Sequence, residues 1–521
     1  DEIDPGNRDA LIGTMYLRHW IYEWNQRDVE GQWQQILSDV TETTADVFLA
    51  QGMKCARCHD HKFDPLLQKD YFAMKAFFTP LQPREDQPIA DVATRRKHAE
   101  QMKVWEEATE EIRERLHQIE TPALLAHASR EGVVKFTKEI QAMIADRRCD
   151  RSPYEQQIAS LASNQFDLHP EKLAEWLDKE TEAERQQLLA QLAEFDHLKP
   201  PPLPTIKFVA SDVGPVAPPT LIPDIDDASP IEPGYPIVLD ENPPTIVSPP
   251  DVLQSTGRRT TLARWITDPN NPLTARVIVN RVWQQHFGRG LVETTSDFGH
   301  LGTPPSHPEL LDWLAHRFME DGWSLKKLHR LILTSATYRQ SSQRPLDEKL
   351  AKLDPQNILL WRMNQRRLSG EEIYDCILAS SGEMGDGKRA IYKPVKRNKL
   401  DPFLAAFDFP DRVQSEGKRH RTTTSPQALL LMNDPWLHER AKTIGQQLST
   451  MTIHSLVQTT YQRLYYRLPS KDEFEQATRF YESYREDALE SSTKDATSSS
   501  NRARVALVHA LLCSSEMIYV D

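Results

Sequence analysis

Residues 53–65 read MKCARCHDHKFDP, and this stretch decides how the first part of the chain is interpreted. Cys55 and Cys58 enclose two residues and His59 follows directly, which is the C-x-x-C-H pattern of covalent c-type haem attachment. Two thiols add across the vinyl groups of one haem, and the adjacent imidazole binds the iron. Only five cysteines occur in 521 residues, so a chance match is improbable. The stretch predicts one covalent haem c, with Cys55 and Cys58 as tethers and His59 as proximal iron ligand.

Two other uses of the same residues stay open. Cys55, Cys58, His59 and His61 supply four donors that zinc accepts, although structural zinc sites usually combine two ligand clusters that are separated in sequence. A thioredoxin-like dithiol is also compatible with C-x-x-C, but the expected βαβ pattern is missing. The histidine directly after the second cysteine favours haem over both.

The sixth position of such an iron decides its chemistry, because electron transfer uses a second axial ligand and small-molecule binding needs an open position. His19, His61 and Met74 are the nearby candidates. His61 lies two residues beyond His59, which favours a supporting position on the same side of the haem. Met74 falls on a helical apolar stripe, whose ordinary role is core packing. His19, in an aromatic-rich segment, is the preferred distal ligand.

The composition pattern predicts a mainly α protein in four parts. Residues 1–90 form a helical c-type haem domain. Residues 91–198 are rich in charged helix formers and predict a helical hairpin or bundle. Residues 199–256 are Pro-rich and predict a linker or small β-module with short strands. Residues 257–521 return to helical periodicity and predict an α-rich C-terminal domain.

A dense group of polar residues lies on Gly-rich segments in the second half of the chain. Arg281, His286, Asp297 and His307 are candidates for a catalytic or binding cleft, where His and Asp side chains would act as general acid and base. An equally weighted alternative is that Asp297 and His307 cap helices and that Arg281 pairs internally. The other members of the group are Asn280, His300 and Glu309.

Basic side chains concentrate in a second region, interleaved with aromatic residues. This region predicts a docking surface for an anionic polysaccharide, since Arg forks match oxyanions, or for an acidic redox partner protein. A solvated loop is the plain alternative. Its members are Lys388, Arg389, Lys393, Lys396, Arg397, Lys399, Lys418, Arg419, His420 and Arg421.

Three cysteines lie outside the C-x-x-C-H motif, an odd number that cannot pair fully within the chain. Cys376 and Cys513 fall in apolar helical contexts, so we expect buried, inert thiols at both positions. Cys149 lies in a charged segment.

Composition and the absence of other motifs exclude several classes of protein. The net charge of -13 and the pI near 5.8 argue against a general nucleic-acid binder. No apolar run is long enough for a membrane span, and no Walker, Rossmann, Gly-x-Ser-x-Gly or His-Glu-x-x-His pattern occurs. Covalent haem attachment takes place outside the cytoplasm, so the C-x-x-C-H motif predicts a periplasmic or otherwise exported protein.

Longer segments carry a family resemblance. Residues 47–65, with 68–72 and 76–78, resemble the end of the haem-motif domain of the planctomycete cytochrome c family, a domain of unknown function. The second half resembles the C-terminal partner domain, also of unknown function, that usually follows it. The segments that carry this second resemblance are NPLTAR at 271–276, NRVW at 280–283, HFGRGLV at 286–292, DFG at 297–299, SHPELLD at 306–312, LTSATYRQS at 333–341 and SPQALLLMN at 425–433.

The resemblance implies an exported haem protein and brings no established reaction. Because the family's haem module normally begins well before its motif, we expect the first domain to be N-terminally incomplete. The favoured function is electron transfer or a haem-linked redox reaction on a carbohydrate or small molecule, which would make an enzyme of this kind a haem c-dependent oxidoreductase. The alternative is a non-catalytic binding or scaffold protein for an anionic glycan or a protein partner, with haem or zinc as a structural group.

Overall fold

A computed structural model describes most of the chain. The described residues are 2–23, 25–129, 132–223, 229–249, 252, 254–345, 347–385, 387–396, 398–410, 416–491 and 496–520, so Arg397 of the basic region lies outside them. Helices account for 56% of the structure and strands for 4%, which confirms the prediction of a mainly α protein.

The chain divides into two compact units, each with its own hydrophobic core. The first unit consists of Asp1–Ile278 and Asp297–Gly302, and the second of Val279–Ser296 and Thr303–Asp521. The first unit therefore includes the three sequence segments predicted before residue 257, together with the beginning of the fourth.

Short and long helices alternate in the first unit. They are α1 (Arg8–Gly13), α2 (Val29–Thr44), α3 (Gln68–Lys75), α4 (Val92–Ala108), α5 (Glu110–Ala126), α6 (Lys138–Ala145), α7 (Pro153–Ser163), α8 (Leu173–Trp176), α9 (Lys179–Glu194) and α10 (Arg258–Ile266), and α11 (Thr274–Phe287) continues into the second unit. Short 3₁₀ helices occupy Thr14–Arg18, Met53–Arg57, Gly132–Lys135, Pro170–Lys172 and Asp196–Leu198, and a π-helical turn covers Ala45–Leu49.

Helix α2 illustrates how the first core forms. The Asp28 carboxylate caps its start by accepting a hydrogen bond from the Gly31 backbone N–H at 2.8 Å. Val29, Trp33 and Ile36 recur at helical spacing and are fully buried against the aromatic side chains of α3 and the residues after it. The helix ends through the π turn at Ala50, which adopts a left-handed conformation with φ 49° and directs the chain into the C-x-x-C-H stretch.

Four short strands connect the Pro-rich segment to the first domain. Strand β1 (Leu81–Arg84) pairs antiparallel with β4 (Val209–Asp212), with Leu81 opposite Asp212, and β2 (Gln87–Pro88) pairs with β3 (Thr205–Ile206). Between them, α5 contacts α9 through the ion pair from Arg115 to Glu184 at 2.7 Å. The Pro-rich segment is thus held to the same unit as the C-x-x-C-H motif.

The second unit is almost entirely helical. Its helices are α12 (Pro308–Glu320), α13 (Leu325–Thr334), α14 (Glu348–Leu353), α15 (Gly370–Ser381), α16 (Pro402–Ala406), α17 (Ser425–Asn433), α18 (Pro435–Gln447), α19 (Ile453–Tyr465), α20 (Lys471–Ser491), α21 (Ala496–Leu512) and α22 (Ser515–Ile518). A 3₁₀ turn covers Ala390–Tyr392, and β5 (Arg366–Arg367) pairs with β6 (Tyr519–Val520). The core lies between α15, α18, α19, α20 and α21, where Ile377, Leu437, Ile444 and Val508 are fully buried.

Candidate functional site

The two motif cysteines lie on one short turn. Cys55 belongs to the 3₁₀ helix Met53–Arg57, and Cys58 is its C-cap. Residues three apart eclipse each other in a 3₁₀ helix, so positions 55 and 58 fall on one side of this turn. Both thiols are free and exposed, whereas Met53 and Ala56 are fully buried and fix the turn to the core. The turn therefore leaves both thiols accessible to a ligand.

The His59 side chain has the hydrogen bond expected of a metal ligand. Its Nδ1 lies 2.7 Å from the Asp60 carbonyl oxygen, and the ring is exposed. A carbonyl only accepts, so the Nδ1 carries the proton and the Nε2 lone pair is left available. Metal-binding histidines are commonly oriented by such a bond to a carbonyl. The donor set of Cys55, Cys58 and His59 therefore fits a c-type haem.

The residues after His59 form a compact loop, here called the motif loop, residues 59–67. The His61 N–H donates to the Leu66 carbonyl at 2.8 Å, and the His61 Nδ1 accepts from the Asp64 N–H at 2.9 Å. The Asp60 carboxylate accepts from the Gln68 N–H at 2.8 Å, at the start of α3. His61 thus uses its Nδ1 within its own loop.

The segment 297–302 completes this loop within the first unit. The Asp64 carboxylate accepts from the His300 N–H at 2.6 Å, and the Phe298 N–H donates to the Ala50 carbonyl at 2.9 Å. Asp297 shapes the segment, because its carboxylate accepts from the Gly299 N–H at 2.8 Å. A Cβ on Gly299 would lie 2.6 Å from Asp64 Oδ1, so any larger residue would have to displace the Asp64 carboxylate. Asp297 therefore belongs to the surroundings of the motif loop.

The other three candidates of the polar group lie in the second unit, and each contacts a different partner. His286 Nε2 lies 2.8 Å from His329 Nδ1, and the ring packs edge-on against Tyr338. Burial, and then the neighbouring His329 and Arg366, lower the pKa of His286.

Arg281 and His307 each contact a serine of the second unit. The Arg281 guanidinium donates to Ser296 Oγ at 3.0 Å, and His307 Nδ1 lies 3.0 Å from Ser306 Oγ. His307 stands at the N-cap of α12, but its side chain makes no capping hydrogen bond. Buried Asn280 exchanges two hydrogen bonds of 2.9 Å with the Val292 backbone. These contacts place Asp297 in one unit and Arg281, His286 and His307 in the other.

The candidate distal ligands differ in exposure. His19 is exposed at the end of the 3₁₀ helix Thr14–Arg18. Met74 is completely buried in α3 and belongs to the first hydrophobic core. Core packing, the ordinary role of an apolar stripe, is therefore what the structure gives Met74.

A cavity of about 880 Å³ lies beside the motif in the first unit. Cys58 lies at its edge, Trp33 and Phe72 form apolar walls, and residues 218–223 of the Pro-rich segment line another side. Lys75 also lines it, with its side chain only 5% exposed. Sequence reasoning missed this cavity, because it is formed by residues that are distant along the chain.

Lys75 is a buried cation within that cavity. Its ammonium donates to Gln34 Oε1 at 2.9 Å and lies 5.7 Å from the centre of the Phe72 ring. Burial, and then the nearby Arg57 charge, lower the pKa of Lys75 to about 8, against the opposite effect of Glu42. The described residues provide this ammonium with no ion-pair partner.

Four side chains of the basic region form ion pairs with acidic neighbours within the second unit. These ion pairs are Arg389 with Asp375 at 3.1 Å, Lys393 with Asp401 at 2.6 Å, Lys418 with Glu293 at 3.0 Å and Arg419 with Glu371 at 2.5 Å. Lys393 also lies 3.8 Å from the centre of the Tyr374 ring. Several charges of this region therefore hold the fold together.

A second cavity of about 1060 Å³ lies in the second unit, which sequence reasoning also missed. His438 and His509 pack 4.0 Å apart on its wall, and Cys513 Sγ lies 3.6 Å from His509 Nε2. Burial raises the pKa of Cys513 to about 11, so the thiol stays protonated. Cys513 is half-buried, whereas Cys376 is exposed, so the prediction of a buried thiol at Cys376 is wrong.

Two features are absent from the part of the chain that the structure describes. In the described ranges, no three His, Cys, Asp or Glu side chains are grouped so as to hold a metal ion. Among the helices of the same ranges, none combines the length and the apolar character needed to cross a membrane.

Comparison with known proteins gives two domain matches. Residues 1–83 match the family PSCyt2, described as a protein of unknown function (DUF1549), and this match includes the C-x-x-C-H motif. Residues 258–481 match PSD1, described as a protein of unknown function (DUF1553). No curated protein and no solved structure matches the chain. Two segments of the chain therefore match domains of unknown function, PSCyt2 first and PSD1 second, consistent with the planctomycete cytochrome-associated pair.

Proposed function

We propose that this chain is an exported c-type haem protein that transfers electrons or carries out a haem-linked redox reaction. Cys55 and Cys58 tether the haem, and His59 is the proximal ligand. The observation that carries the proposal is the turn that holds two free, exposed thiols three positions apart, next to an imidazole whose Nδ1 proton is held by the Asp60 carbonyl. A bound haem would supply a reversible one-electron carrier.

The protein's own residues would fix the ligands in place. The Asp60 carbonyl sets the His59 tautomer, and the motif loop is closed by hydrogen bonds from His61 and Asp64. Such supporting contacts orient a ligand and raise its basicity. The Phe298 amide donates to the Ala50 carbonyl at the end of the π turn, and the His300 amide donates to the Asp64 carboxylate of the motif loop. Segment 297–302 therefore contacts the chain on both sides of the C-x-x-C-H motif.

The distal ligand remains His19 in this proposal, with Met74 and His61 as alternatives. Met74 is packed in the core and His61 has its Nδ1 occupied, whereas the His19 ring is exposed. A redox partner protein would exchange electrons with the bound haem. The reaction, if there is one, would be that of an oxidoreductase on a carbohydrate or a small molecule.

Covalent attachment provides the direct test. The full chain would be produced in a host that attaches haem c outside the cytoplasm, then separated on a denaturing gel and stained for haem peroxidase activity. We expect staining of the wild type and of Cys149→Ala, the control that removes an exposed thiol outside the motif. The double variant Cys55→Ala, Cys58→Ala should not stain. Staining of that variant, or zinc in place of iron in the purified wild type, would overturn the proposal.

Spectra separate electron transfer from chemistry at the iron. A reduced-minus-oxidised spectrum that does not change with carbon monoxide indicates two protein ligands and supports electron transfer. A carbon monoxide adduct indicates an open position and supports a reaction with a small molecule. His19→Ala should convert the first behaviour into the second if His19 is the distal ligand.

A further inference from the structure

We propose that the 880 Å³ cavity beside Cys58 binds a flat, mainly apolar ligand that carries a carboxylate, with the Lys75 ammonium as its counter-ion. The haem of the proposed function has this chemistry through its propionates, and so does a free planar carboxylic acid. The inference is drawn from the residues that line the cavity, so it does not depend on whether haem is covalently attached to Cys55 and Cys58.

The walls suit a flat apolar body. Trp33 and Leu37 of α2 and Phe72 of α3 form one side, and the residues Leu221 and Ile222 of the Pro-rich segment line the cavity as well. A volume of this size is in the range of small-molecule and cofactor sites, which are mostly apolar with a few placed polar groups. Aromatic and proline side chains keep their shape at low entropic cost, so the cavity is largely preformed.

The buried ammonium calls for an anion. Lys75 is 5% exposed, lines the cavity, and makes one hydrogen bond, to the neutral amide oxygen of Gln34. A buried charge without an ion-pair partner is costly, and a carboxylate on the ligand would offset that cost.

Two further polar atoms of the cavity have no partner among the described residues. Gln157 is 2% exposed, and its Nε2 donates to the Thr79 and Leu81 carbonyls at 2.7 and 2.8 Å, which leaves its Oε1 unbonded. Thr220 is 4% exposed and its hydroxyl is also unbonded. Both residues line the cavity. Buried polar atoms are normally satisfied, so the polar edge of the ligand should also carry a hydrogen-bond donor, such as a hydroxyl or a protonated carboxyl group.

Calorimetric titration of the full chain without haem tests the inference, with naphthoate as the probe and naphthamide as its neutral counterpart. We expect naphthoate to bind the wild type about tenfold more tightly than Lys75→Met, because a hydrogen bond to a charged group is lost. Naphthamide should bind both proteins equally. Lys54→Met is the matched control, because it removes an exposed charge that does not line the cavity. A melting temperature of Lys75→Met at or above that of the wild type establishes that the variant is folded.

Two results of the titration would overturn the inference. If naphthoate fails to bind the wild type, or if Lys75→Met leaves the preference for naphthoate over naphthamide unchanged, the site is not the one proposed. In the haem-loaded chain, loss of naphthoate binding identifies the propionates as the carboxylate, and retained binding identifies a free acid. A chain that acquires no covalent haem contradicts the proposed function but leaves the titration without haem decisive.

Discussion

Lys75 has an energetic consequence that can be measured without any ligand. Its pKa falls from 10.5 to about 8 on folding, because the site is buried and lies close to Arg57. Between these two pH values the unfolded chain holds a proton that the folded chain has released, so stability rises with pH in that window. Below about pH 8 the folded protein bears the full free-energy cost of burying the charged Lys75 ammonium, on the order of 3 kcal/mol for such a shift in pKa.

Replacing Lys75 by Met should therefore stabilise the first unit at neutral pH. The melting temperature of Lys75→Met is expected to exceed that of the wild type at pH 7, and the difference should shrink as the pH rises toward 10. The comparison of the two proteins at each pH cancels the effects of other titrating groups. Equal melting temperatures at pH 7 would mean that Lys75 is better solvated or paired than its surroundings indicate.

For single residues, the sequence predicted candidate ligands better than it predicted which side chains are buried and what they contact. The spacing of Cys55, Cys58 and His59 could be read directly, since those residues are adjacent along the chain. The surroundings of Lys75 could not, because its partner Gln34 and the cavity residues Gln157 and Thr220 come from distant segments. Cys376 was predicted to be buried from its apolar neighbours, yet it faces solvent on α15, because Ile373 and Ile377 supply the buried face of that helix.

Helix α10 is joined to the first unit by a buried ionic network. Arg259 pairs with Asp212 of β4 at 2.8 Å and with Glu2 at 3.3 Å, and all three side chains are nearly inaccessible. Glu2 also accepts hydrogen bonds from Ser255 and Thr260. Burial opposes ionisation of Glu2, but Arg259 and these hydrogen bonds outweigh it and lower its pKa. The network joins α10 to the first unit, together with Leu262 and Ile266, which pack in the first core.

Breaking this network should destabilise the first unit strongly. Arg259→Met leaves two buried carboxylates without a cation, at a cost of about 3–5 kcal/mol. Arg264→Met, at an exposed position of the same helix, is the control and should have little effect. Because the lowered pKa of Glu2 contributes stability that is lost as the pH falls, the difference between wild type and Arg259→Met should narrow below about pH 4. A difference independent of pH would contradict the assigned charges.

The segment 297–302 should respond to a single methyl group. Gly299→Ala places a Cβ against the Asp64 carboxylate, and overpacking of this kind costs about 1–3 kcal/mol. We expect faster hydrogen exchange at the Phe298 and His300 amides, which donate to Ala50 and Asp64. Gly13→Ala, where a Cβ meets no neighbour, is the control. Unchanged protection at both amides would show that the segment is held by other contacts.

At the element scale, periodicity predicted helices well and their burial less well. The apolar stripe that includes Met74 predicts one buried helix face, but Tyr71, Phe72, Met74 and Phe77 around the helix are all buried. The reason is that the Pro-rich segment also packs here, with Tyr235 stacked on Phe77 at 5.7 Å and Gly234 against Ala73. A segment with no periodicity of its own gives no indication of what it covers.

For the whole molecule, two separate cores predict two unfolding transitions in scanning calorimetry. Ile36→Ala, in the first core, and Ile444→Ala, in the second, each remove a buried side chain at a cost of about 2–5 kcal/mol. Each variant should lower the midpoint of one transition and leave the other in place. A single transition that shifts with either variant would indicate that the two cores unfold together.

The division of the chain could not be predicted from composition. A boundary was expected near residue 257, where the Pro-rich segment ends, but the first unit continues to Ile278 and takes up Asp297–Gly302 as well. Helix α10 has the periodicity of the helices that follow it, but the ion pairs of Arg259 and the packing of Leu262 and Ile266 in the first core join it to the first unit. Long-range pairing of this kind leaves no mark in local sequence.

The hydrogen bonds from Phe298 and His300 link a segment of the PSD1 match to residues of the PSCyt2 match. The segment 297–302 falls within the PSD1 match, yet its amides satisfy Ala50 and Asp64, which fall within the PSCyt2 match. A recombination event that separated the two coding regions would leave a carbonyl and a carboxylate beside the C-x-x-C-H turn without their donors. Selection would then act against the loss or exchange of either region alone. This is a physical reason for the two domains to be retained together.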